Sequence, residues 1–341
     1  MSPIAPALRE LGAQLAELTA RFGRPVDAAA LGICDRTGLL PLDPPGLHSP
    51  NRACRLFCAA DGWMAVNLAR DEDCDLIPAW LGCDPGTDPW AMIAAHAGGQ
   101  TRAALVDGAV LLGLPAAAVG EIMRDSPQAP LIRLGAGGTA RGPALRVVDL
   151  SALWAGPMCG AILAASGASV SKVESVRRPD PTRISSPEFF RRLNGAKADL
   201  GLDLADPDGQ ARLRDLILDA DVLITSARPR ALVSLGLDLA QVFAANPGFV
   251  WVAVTGYGWT GEAARRVAFG DDAAAAGGVV EWTPNGEPRF LGDALADPVT
   301  GLAAAVGALQ GLSDGGGVLV DVSLAGSAAG AASVSGLRRA A

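Results

Sequence analysis

Two carboxylates that could act on an activated acyl group lie near the carboxyl end of the sequence. Asp293 and Asp297 stand in the segment FLGDALADPVTGLAAAVGAL, directly before a run of residues without charge. The run predicts a buried helix that begins near Pro298, with Asp297 as its N-cap, where backbone N–H groups favour an anion. A carboxylate held ionised and partly desolvated is a competent nucleophile. Asp297 is therefore a candidate nucleophile, although helix capping alone also accounts for it.

A second candidate site is the turn Ala155-Gly156-Pro157, which follows a predicted strand over 146–150. A small-residue helix over 156–167 and a strand over 169–174, ending at Glu174, come next. A strand, a glycine turn and an acid about 20 residues on are typical of dinucleotide sites. The spacing is A-G-P-x-x-G, and Pro157 lacks the N–H that a pyrophosphate would need. This spacing disfavours NAD, and a tight turn without a ligand remains an alternative.

The segment from Lys172 to Lys197 is basic in a chain of net charge −8. Its seven basic residues outnumber the three acidic ones, and they are Lys172, Arg177, Arg178, Arg183, Arg191, Arg192 and Lys197. The segment follows the second predicted strand, at the edge where open α/β sheets bind ligands. Because arginine and lysine bind phosphate oxygens strongly, the segment predicts a ligand with several phosphates. A solvated charged loop is the alternative.

A glycine-rich loop, TGYGWTG, follows a further predicted strand over 249–255. Its residues Gly256, Tyr257 and Gly258 let the backbone approach a ligand closely, although a plain turn explains them equally well. Asp271 and Asp272 are two more acids, in the stretch AFGDDAAAAGG that comes after the loop.

A glycine- and proline-rich segment over 135–143 divides the chain into two parts, whose elements must position these residues. Residues 1–134 predict a helix over 7–22, two strands joined at Asp61-Gly62, and helices over 71–81, 89–97 and 101–112. They predict a small α+β domain. Strands and helices alternate over 144–330, which predicts an α/β domain with a doubly wound parallel sheet.

The composition excludes several classes of protein. Of the 341 residues, 50% are hydrophobic, which argues against a disordered chain. The net negative charge argues against a nucleic-acid binder. The six cysteines form no C-x-x-C pair and the two histidines lie apart from them, which predicts no metal site. We expect reduced thiols in a cytoplasmic protein without a signal peptide. The apolar run 299–312 is too short to span a membrane, so we expect no membrane insertion.

Taken together, these segments resemble the class III coenzyme A-transferases (CaiB/BaiF type), which include formyl-CoA transferase, carnitine CoA-transferase and α-methylacyl-CoA racemase. The matching stretches are RVVDLSALWAGPMCGAILAASGASVSKVES with DPTR after it, NGAKADLGLDLADPDG, DVLITSARPRALVSLGLD, NPGFVWVAVTGYGWTG, ADPVTGLAAAVGAL and VLVDVSL, in the family's order over about 145–325. The resemblance implies a large Rossmann-like domain that binds CoA. The stretch RLFCAADGWMAVNLARDEDCDLIPAWLG resembles the family's smaller domain, which here comes first.

The resemblance also implies a chemistry and a set of site residues. Asp297 would attack an acyl-CoA and carry CoA as an aspartyl-CoA thioester to a carboxylic acid acceptor, with CoA as a substrate and no tightly bound cofactor. The residues implied to contact CoA are Ala155, Gly156, Pro157, Lys172, Glu174, Arg177, Arg183, Asn194, Lys197, Arg228, Gly256, Tyr257 and Gly258. A homodimer is implied as well, although the single connection over 135–143 disfavours the interlocked form of the family.

Two departures from the family pattern keep other functions open. The stretch Phe269-Gly270-Asp271 has no histidine where the racemases carry a His-Asp pair, which disfavours α-proton exchange. The stretch GLHSPNRACR over 46–55 has one glycine where transferases carry a glycine-rich loop that covers the intermediate. A CoA-binding or partner subunit with impaired catalysis is therefore the main alternative, and a racemase is the third.

Overall fold

The amino-terminal part of the protein combines one long helix with a small antiparallel sheet. The computed structural model describes residues 3–139, 142 and 144–337. The elements up to residue 118 are α1 (Ala5–Phe22), β1 (Cys54–Ala59), β2 (Gly62–Asn67), α2 (Asp71–Asp75), α3 (Ile77–Leu81), α4 (Pro89–Ala97), α5 (Arg102–Leu112) and β3 (Ala116–Ala118). The two strands predicted around Asp61-Gly62 are confirmed as the β1–β2 pair. The helix predicted over 71–81 is instead two short helices, since Pro78 lies in the first turn of α3, where proline is accommodated.

Within the described part of the chain, seven strands form the central sheet. They are β4 (Leu131–Arg133), β5 (Arg146–Asp149), β6 (Ser169–Ser175), β7 (Ala198–Leu202), β8 (Val222–Thr225), β9 (Val250–Thr255) and β12 (Val318–Ser323). Their order is β4-β12-β9-β8-β5-β6-β7, and β4 is antiparallel to β12 while the other neighbours are parallel. The predicted doubly wound α/β fold is confirmed.

Helices cover both faces of this sheet, as expected for strands that are apolar along their whole length. The remaining α-helices and strands of the described residues are α6 (Ala155–Ser166), α7 (Thr182–Ser185), α8 (Pro187–Asn194), α9 (Pro207–Leu218), α10 (Pro229–Ser234), α11 (Leu239–Ala245), α12 (Gly270–Ala276), β10 (Val280–Trp282), β11 (Pro288–Phe290), α13 (Ala296–Ser313) and α14 (Leu324–Val334). Pro207 and Pro229 each open a helix, where the missing N–H is not needed. The sheet order reverses at β5, between β6 and β8, so a crevice for a ligand is expected at the carboxyl end of β5.

Helix α13 is the buried centre of the α/β part. Small residues allow its close approach to α6, because a β-carbon at Gly301 would lie 2.8 Å from the Met158 sulfur. The charge-free run predicted to be a core helix is thus confirmed. No helix in the described residues is long and apolar enough to cross a membrane.

Packing crosses the predicted boundary between residues 1–134 and 144–330. Leu11, Leu15 and Leu18 on the buried face of α1 belong to the same apolar cluster as the core of α13 and α14. Strand β4 forms the edge of the seven-stranded sheet through its pairing with β12. Both ends of the predicted small domain therefore pack with the large one. In the predicted linker over 135–143, Ala140, Arg141 and Pro143 lie outside the described residues.

Candidate active site

Asp297 lies in the first turn of α13, against the start of α12. The helix begins at Ala296, so Asp297 is its second residue and Leu295 is the N-cap. The predicted N-cap role of Asp297 is therefore wrong. Its carboxyl group is directed at Gly270 instead, where a β-carbon would lie 2.0 Å from Asp297 Oδ2. Only a residue without a side chain leaves room for the carboxylate at this point.

The first turn of α6 faces the same carboxyl group. The backbone N–H of Ala155 lies close enough to Asp297 to lower its pKa. Because Ala155 is the first residue of α6, this N–H has no partner within the helix and is free to serve an anion. The structure thus brings together the turn Ala155-Gly156-Pro157 and the candidate nucleophile.

Asp271 and Asp293 are two further carboxylates around Asp297. Asp271, in α12, accepts hydrogen bonds from the backbone of Ala294 at 2.7 Å and from Asn51 Nδ2 at 2.7 Å. Asn51 Nδ2 also donates to Asp293 Oδ1, at 2.8 Å. One amide group from the amino-terminal part of the chain therefore bridges two acids that flank the candidate nucleophile.

Arg36 brings a positive charge to this group of acids. Its Nε and Nη2 atoms donate to the two carboxylate oxygens of Asp293, at 2.8 Å each. Its guanidinium carbon lies 4.8 Å from the centroid of the Trp154 ring. The indole Nε1 of Trp154 donates to the carbonyl oxygen of Ile33 at 2.9 Å. Arg36 thus joins the segment before α13 to the residue before α6.

Burial and mutual repulsion make these acids hold their protons more tightly than usual. Burial raises the pKa of Asp297 to about 7, against the Arg36 guanidinium, which lowers it. Burial and the charge of Asp293 raise the pKa of Asp271 to about 6, against the hydrogen bond from Asn51. Near neutral pH Asp297 is therefore present both as an acid and as an anion. As a whole residue, Asp297 is half-buried.

Asp272 is a third perturbed acid, on the side of α12 that faces the small sheet. Its Oδ1 accepts hydrogen bonds from the Phe269 backbone at 2.9 Å and from Asn67 Nδ2 at 3.0 Å. Within the described residues, Asp272 Oδ2 and Asn67 Oδ1 are buried without a hydrogen-bond partner. Burial raises the pKa of Asp272 to about 8, so this carboxyl group is largely neutral at pH 7.

The loop after β9 supplies Gly256, Tyr257 and Gly258 at the same edge of the sheet. The Arg266 guanidinium carbon lies 3.7 Å from the centroid of the Tyr257 ring. Burial and the charge of Asp272 raise the pKa of the Tyr257 hydroxyl well above its usual value. Gly258 has a φ of 117°, in the region that favours glycine, which allows the tight turn at this point.

Lys197 lies beneath the first turn of α6, with its side chain fully buried. Its Nζ donates at 2.8 Å to Asp149 Oδ2, to the carbonyl oxygen of Pro157 and to Asn194 Oδ1. Burial acts to raise the pKa of Asp149, but Lys197 and then Lys172 outweigh it, so the pKa lies below its ordinary value. Lys197 and Asn194 therefore support the turn from within the protein.

Lys172 is likewise buried, with ion pairs to Glu174 and Asp180 at 3.6 Å each. It also donates to the carbonyl oxygen of Ser151, in the loop that leads to α6. Lys172 and Glu174 thus lie next to the predicted CoA turn, but their charges are satisfied inside the protein.

The arginines of the basic segment are paired with acids as well. Arg183 binds Glu174 Oε2 at 3.0 Å and Asp199 Oδ1 at 2.6 Å, and Arg177 binds Asp203 at 2.7 Å. Much of the excess charge that the sequence shows is therefore balanced locally. Arg228, the N-cap residue of α10, instead lies near other arginines, and burial together with Arg230 lowers its pKa.

Sequence reasoning missed Arg36 and Asn51, which lie in a stretch for which it predicted no element. One signal was available, because Asn51 falls within residues 46–55, the stretch that the resemblance aligns with the covering loop. Among the described residues, no group of three or more His, Cys, Asp or Glu could hold a metal ion.

Comparison with known proteins gives a family and several named relatives. Residues 144–338 match the model of CoA-transferase family III. The chain is 33% identical over 193 residues to the succinyl-CoA–D-citramalate CoA-transferase of Chloroflexus aurantiacus, covering 53% of this chain and 48% of that protein. It is 30% identical over 193 residues to the human succinyl-CoA:glutarate CoA-transferase, covering 53% and 44%.

The structural comparison agrees with the sequence comparison. A crystal structure of a CaiB/BaiF family protein from Brucella suis matches with a TM-score of 0.51 and 31% identity, covering 55% of this chain and 54% of that one. The chain spans about half the length of the curated relatives that it matches.

Proposed function

The chain belongs to CoA-transferase family III, and we propose that it transfers CoA from an acyl-CoA thioester to a carboxylic acid through Asp297. The observation that carries the proposal is the position of this carboxyl group. It lies at the start of α13, beside the N–H of Ala155, in a residue that is only half-buried as a whole. Its raised pKa keeps the anion basic, and a more basic carboxylate is the better nucleophile.

The proposed reaction begins when a carboxylate oxygen of Asp297 attacks the thioester carbonyl carbon. The carbon–sulfur bond breaks, CoA leaves as the thiolate and a mixed anhydride remains. The thiolate then attacks the Asp297 carbonyl carbon, which releases the donor acid and leaves an aspartyl-CoA thioester. An acceptor carboxylate repeats the two steps in reverse and regenerates the Asp297 carboxylate. The Ala155 N–H is placed to stabilise negative charge on the aspartyl oxygen.

The site residues in this proposal divide into two groups. Asp297 reacts, and the loop and turn residues Ala155, Gly156, Pro157, Gly256, Tyr257 and Gly258 line the carboxyl edge that would receive the acyl-CoA. Arg177, Arg183 and Arg228 lie at that edge and would bind CoA phosphates, while the buried Lys172, Glu174, Asn194 and Lys197 would hold the turn in place. CoA is a substrate here, with no tightly bound cofactor proposed.

The named relatives suggest a substrate class. Their names specify succinyl-CoA with citramalate or glutarate. We extend this to the present chain as a preference for CoA esters of short dicarboxylic acids.

Six free cysteines fit a reducing compartment, so we propose a cytoplasmic protein. We also propose a homodimer, which light scattering would test against the mass of the chain.

Intact mass spectrometry tests the role of Asp297. Incubation with succinyl-CoA is expected to add the mass of an aspartyl-CoA thioester to the protein, and glutarate is expected to discharge it. Asp297→Ala should abolish the adduct, whereas Asp314→Ala, at the exposed end of the same helix, should leave it unchanged. An adduct that persists in Asp297→Ala would refute the assignment.

A CoA-binding subunit without transferase activity is the second candidate. It is favoured by the loop over 46–55, where the Asn51 side chain, rather than a run of glycines, lies beside the acids around Asp297. Tight CoA binding with no transfer across a panel of acyl-CoA donors and dicarboxylic acceptors would support this candidate. Deuterium exchange at the α-carbon of a 2-methylacyl-CoA would instead indicate a racemase.

A further inference from the structure

We propose that Arg36 is a positioning residue for Asp297, which clamps together the two chain segments that form the nucleophile's surroundings and balances their negative charge. This inference rests on the function proposed above. It assigns a role in the reaction to the amino-terminal segment over 23–53, which lies outside the part of the chain that matches the family.

Arg36 contacts both chain segments around Asp297 at once. The bidentate bond to Asp293 holds the segment that leads into α13, four residues before Asp297. The stacking of the same guanidinium on Trp154 holds the residue that precedes Ala155, whose N–H faces Asp297. One rigid planar group therefore fixes the distance between the nucleophile and its N–H donor. A guanidinium is suited to both contacts, because its planar N–H groups can bind a carboxylate while its face stacks on an aromatic ring.

The segment that carries Arg36 is itself tied to this position. The Ile33 carbonyl oxygen accepts the indole N–H of Trp154. Farther along the segment, Asn51 bridges Asp271 and Asp293. The oxygen of the Asn51 amide accepts from Ser49 Oγ and from the Ala53 backbone at 2.8 Å each, which fixes the orientation of the amide.

Two strained backbone positions lie next to the two residues that Arg36 contacts. Leu153 has a φ of 70° and Ala294 a φ of 47°, values that residues with a side chain rarely adopt. Leu153 comes just before Trp154, and Ala294 comes just after Asp293. Such strain persists only where the surroundings hold the backbone in place. The contacts of Arg36 on both neighbouring residues are suited to that purpose.

Arg36 also sets the electrostatic surroundings of Asp297. The charged groups that act on Asp297 are Asp271 from α12, Asp293 from the segment before α13, and Arg36 from the amino-terminal segment. The turn at the start of α6 contributes a backbone dipole and no ionisable side chain. Without the guanidinium, two acids would face Asp297 with no positive charge to offset them, and its anion would form only at higher pH.

The test is the pH dependence of aspartyl-CoA formation, followed by intact mass in wild type and variants. Arg36→Gln is expected to shift the acid limb of the profile to higher pH because the charge is lost, with formation about tenfold slower near pH 6. Near pH 9, where Asp297 is ionised in both proteins, a smaller loss should remain because the contact that positions Asp297 is lost. Arg36→Lys keeps the charge and should recover part of the rate near pH 6. Arg52→Gln, which breaks an exposed ion pair with Asp43 in the same segment, is the matched control.

A double variant separates charge from packing. Arg36→Gln with Asp293→Asn removes one charge of each sign, so the acid limb should return toward that of wild type. A profile that keeps its midpoint in Arg36→Gln, or a loss of rate that is equal at every pH, would overturn the proposal. Thermal unfolding of each variant identifies a loss caused by misfolding.

Failure of the proposed function would be seen separately. It would appear as wild-type protein that forms no adduct with any acyl-CoA. The role of Arg36 is then measured by infrared titration of carboxyl groups labelled with ¹³C-aspartate, with Asp297→Asn used to assign the band. The Asp297 band should titrate at higher pH in Arg36→Gln than in wild type, and an unchanged midpoint would contradict the inference.

Discussion

The ammonium group of Lys197 lies 2.8 Å from Asp149 Oδ2, and both side chains are fully buried beneath the turn that opens α6. In sequence, Lys197 belongs to a basic stretch that suggests direct contact with phosphates. In the fold, it also binds the Pro157 carbonyl oxygen, so the turn is held from inside. Lys197 therefore has a structural role, whether or not it also contacts CoA.

Lys197→Met should therefore destabilise the protein before it affects a ligand. The change leaves Asp149 buried without its partner, and the loss of one member of a buried pair typically costs about 3–5 kcal/mol. The free energy of unfolding, measured with urea, should fall by this amount. Arg21→Gln, which removes an exposed ion pair with Glu17, should cost about 0–1 kcal/mol. A stable Lys197→Met protein with weak CoA binding would instead assign the lysine a direct contact with CoA.

Gly270→Ala should displace the Asp297 carboxyl group. A β-carbon at Gly270 would lie 2.0 Å from Asp297 Oδ2 and 2.6 Å from the β-carbon of Ala294. Such overpacking typically costs about 1–3 kcal/mol. We expect loss of the aspartyl-CoA adduct in mass spectrometry and a lower melting temperature. Gly98→Ala, where a β-carbon meets nothing within 4 Å, is the control that should behave like wild type.

Asp272 should make the protein less stable as the pH rises. Its pKa is about 8 in the folded protein against an ordinary value of 3.8, so folding takes up a proton between these limits. The free energy of unfolding therefore falls as pH rises through this window and levels off above about pH 8. In Asp272→Asn this contribution should be absent, so the free energy of unfolding of the variant should rise relative to that of wild type as the pH increases. Denaturant unfolding from pH 5 to 9 measures the difference, which Asp314→Asn should not show.

Arg183→Gln should weaken CoA binding if the carboxyl edge holds the phosphates. Arg183 is about one-third exposed and lies between Glu174 and Asp199. We expect the Kd for CoA to rise about tenfold by isothermal titration calorimetry, equivalent to about 1.4 kcal/mol. Arg191→Gln removes an exposed arginine of the same segment that pairs with Glu188. Equal affinities for CoA in wild type and both variants would indicate that the basic segment is a solvated surface that does not bind CoA.

Local patterns were sufficient to predict most elements of the fold. The alternation of short apolar runs with helical stretches predicts β5 to β9, and the glycine and proline positions predict where helices start. The same patterns could not assign α1 and β4 to the large sheet unit. Their burial depends on which partner covers an apolar face, and a single segment of sequence does not identify that partner. The N-cap prediction for Asp297 failed because α13 begins one residue before it, at Ala296.

The sequence by itself determined the reactive groups and the family pattern that contains them. Asp297 and the turn Ala155-Gly156-Pro157 are recognisable from residue type and spacing. The tertiary structure alone decided that Arg36 meets Asp293 across 257 positions of sequence, and that Asn51 meets the same acid across 242. Such contacts carry no local signal, since an arginine or asparagine in a loop has the same intrinsic preferences whether it faces water or an acid. Charges acquire their pKa values and their partners only when folding excludes water around them.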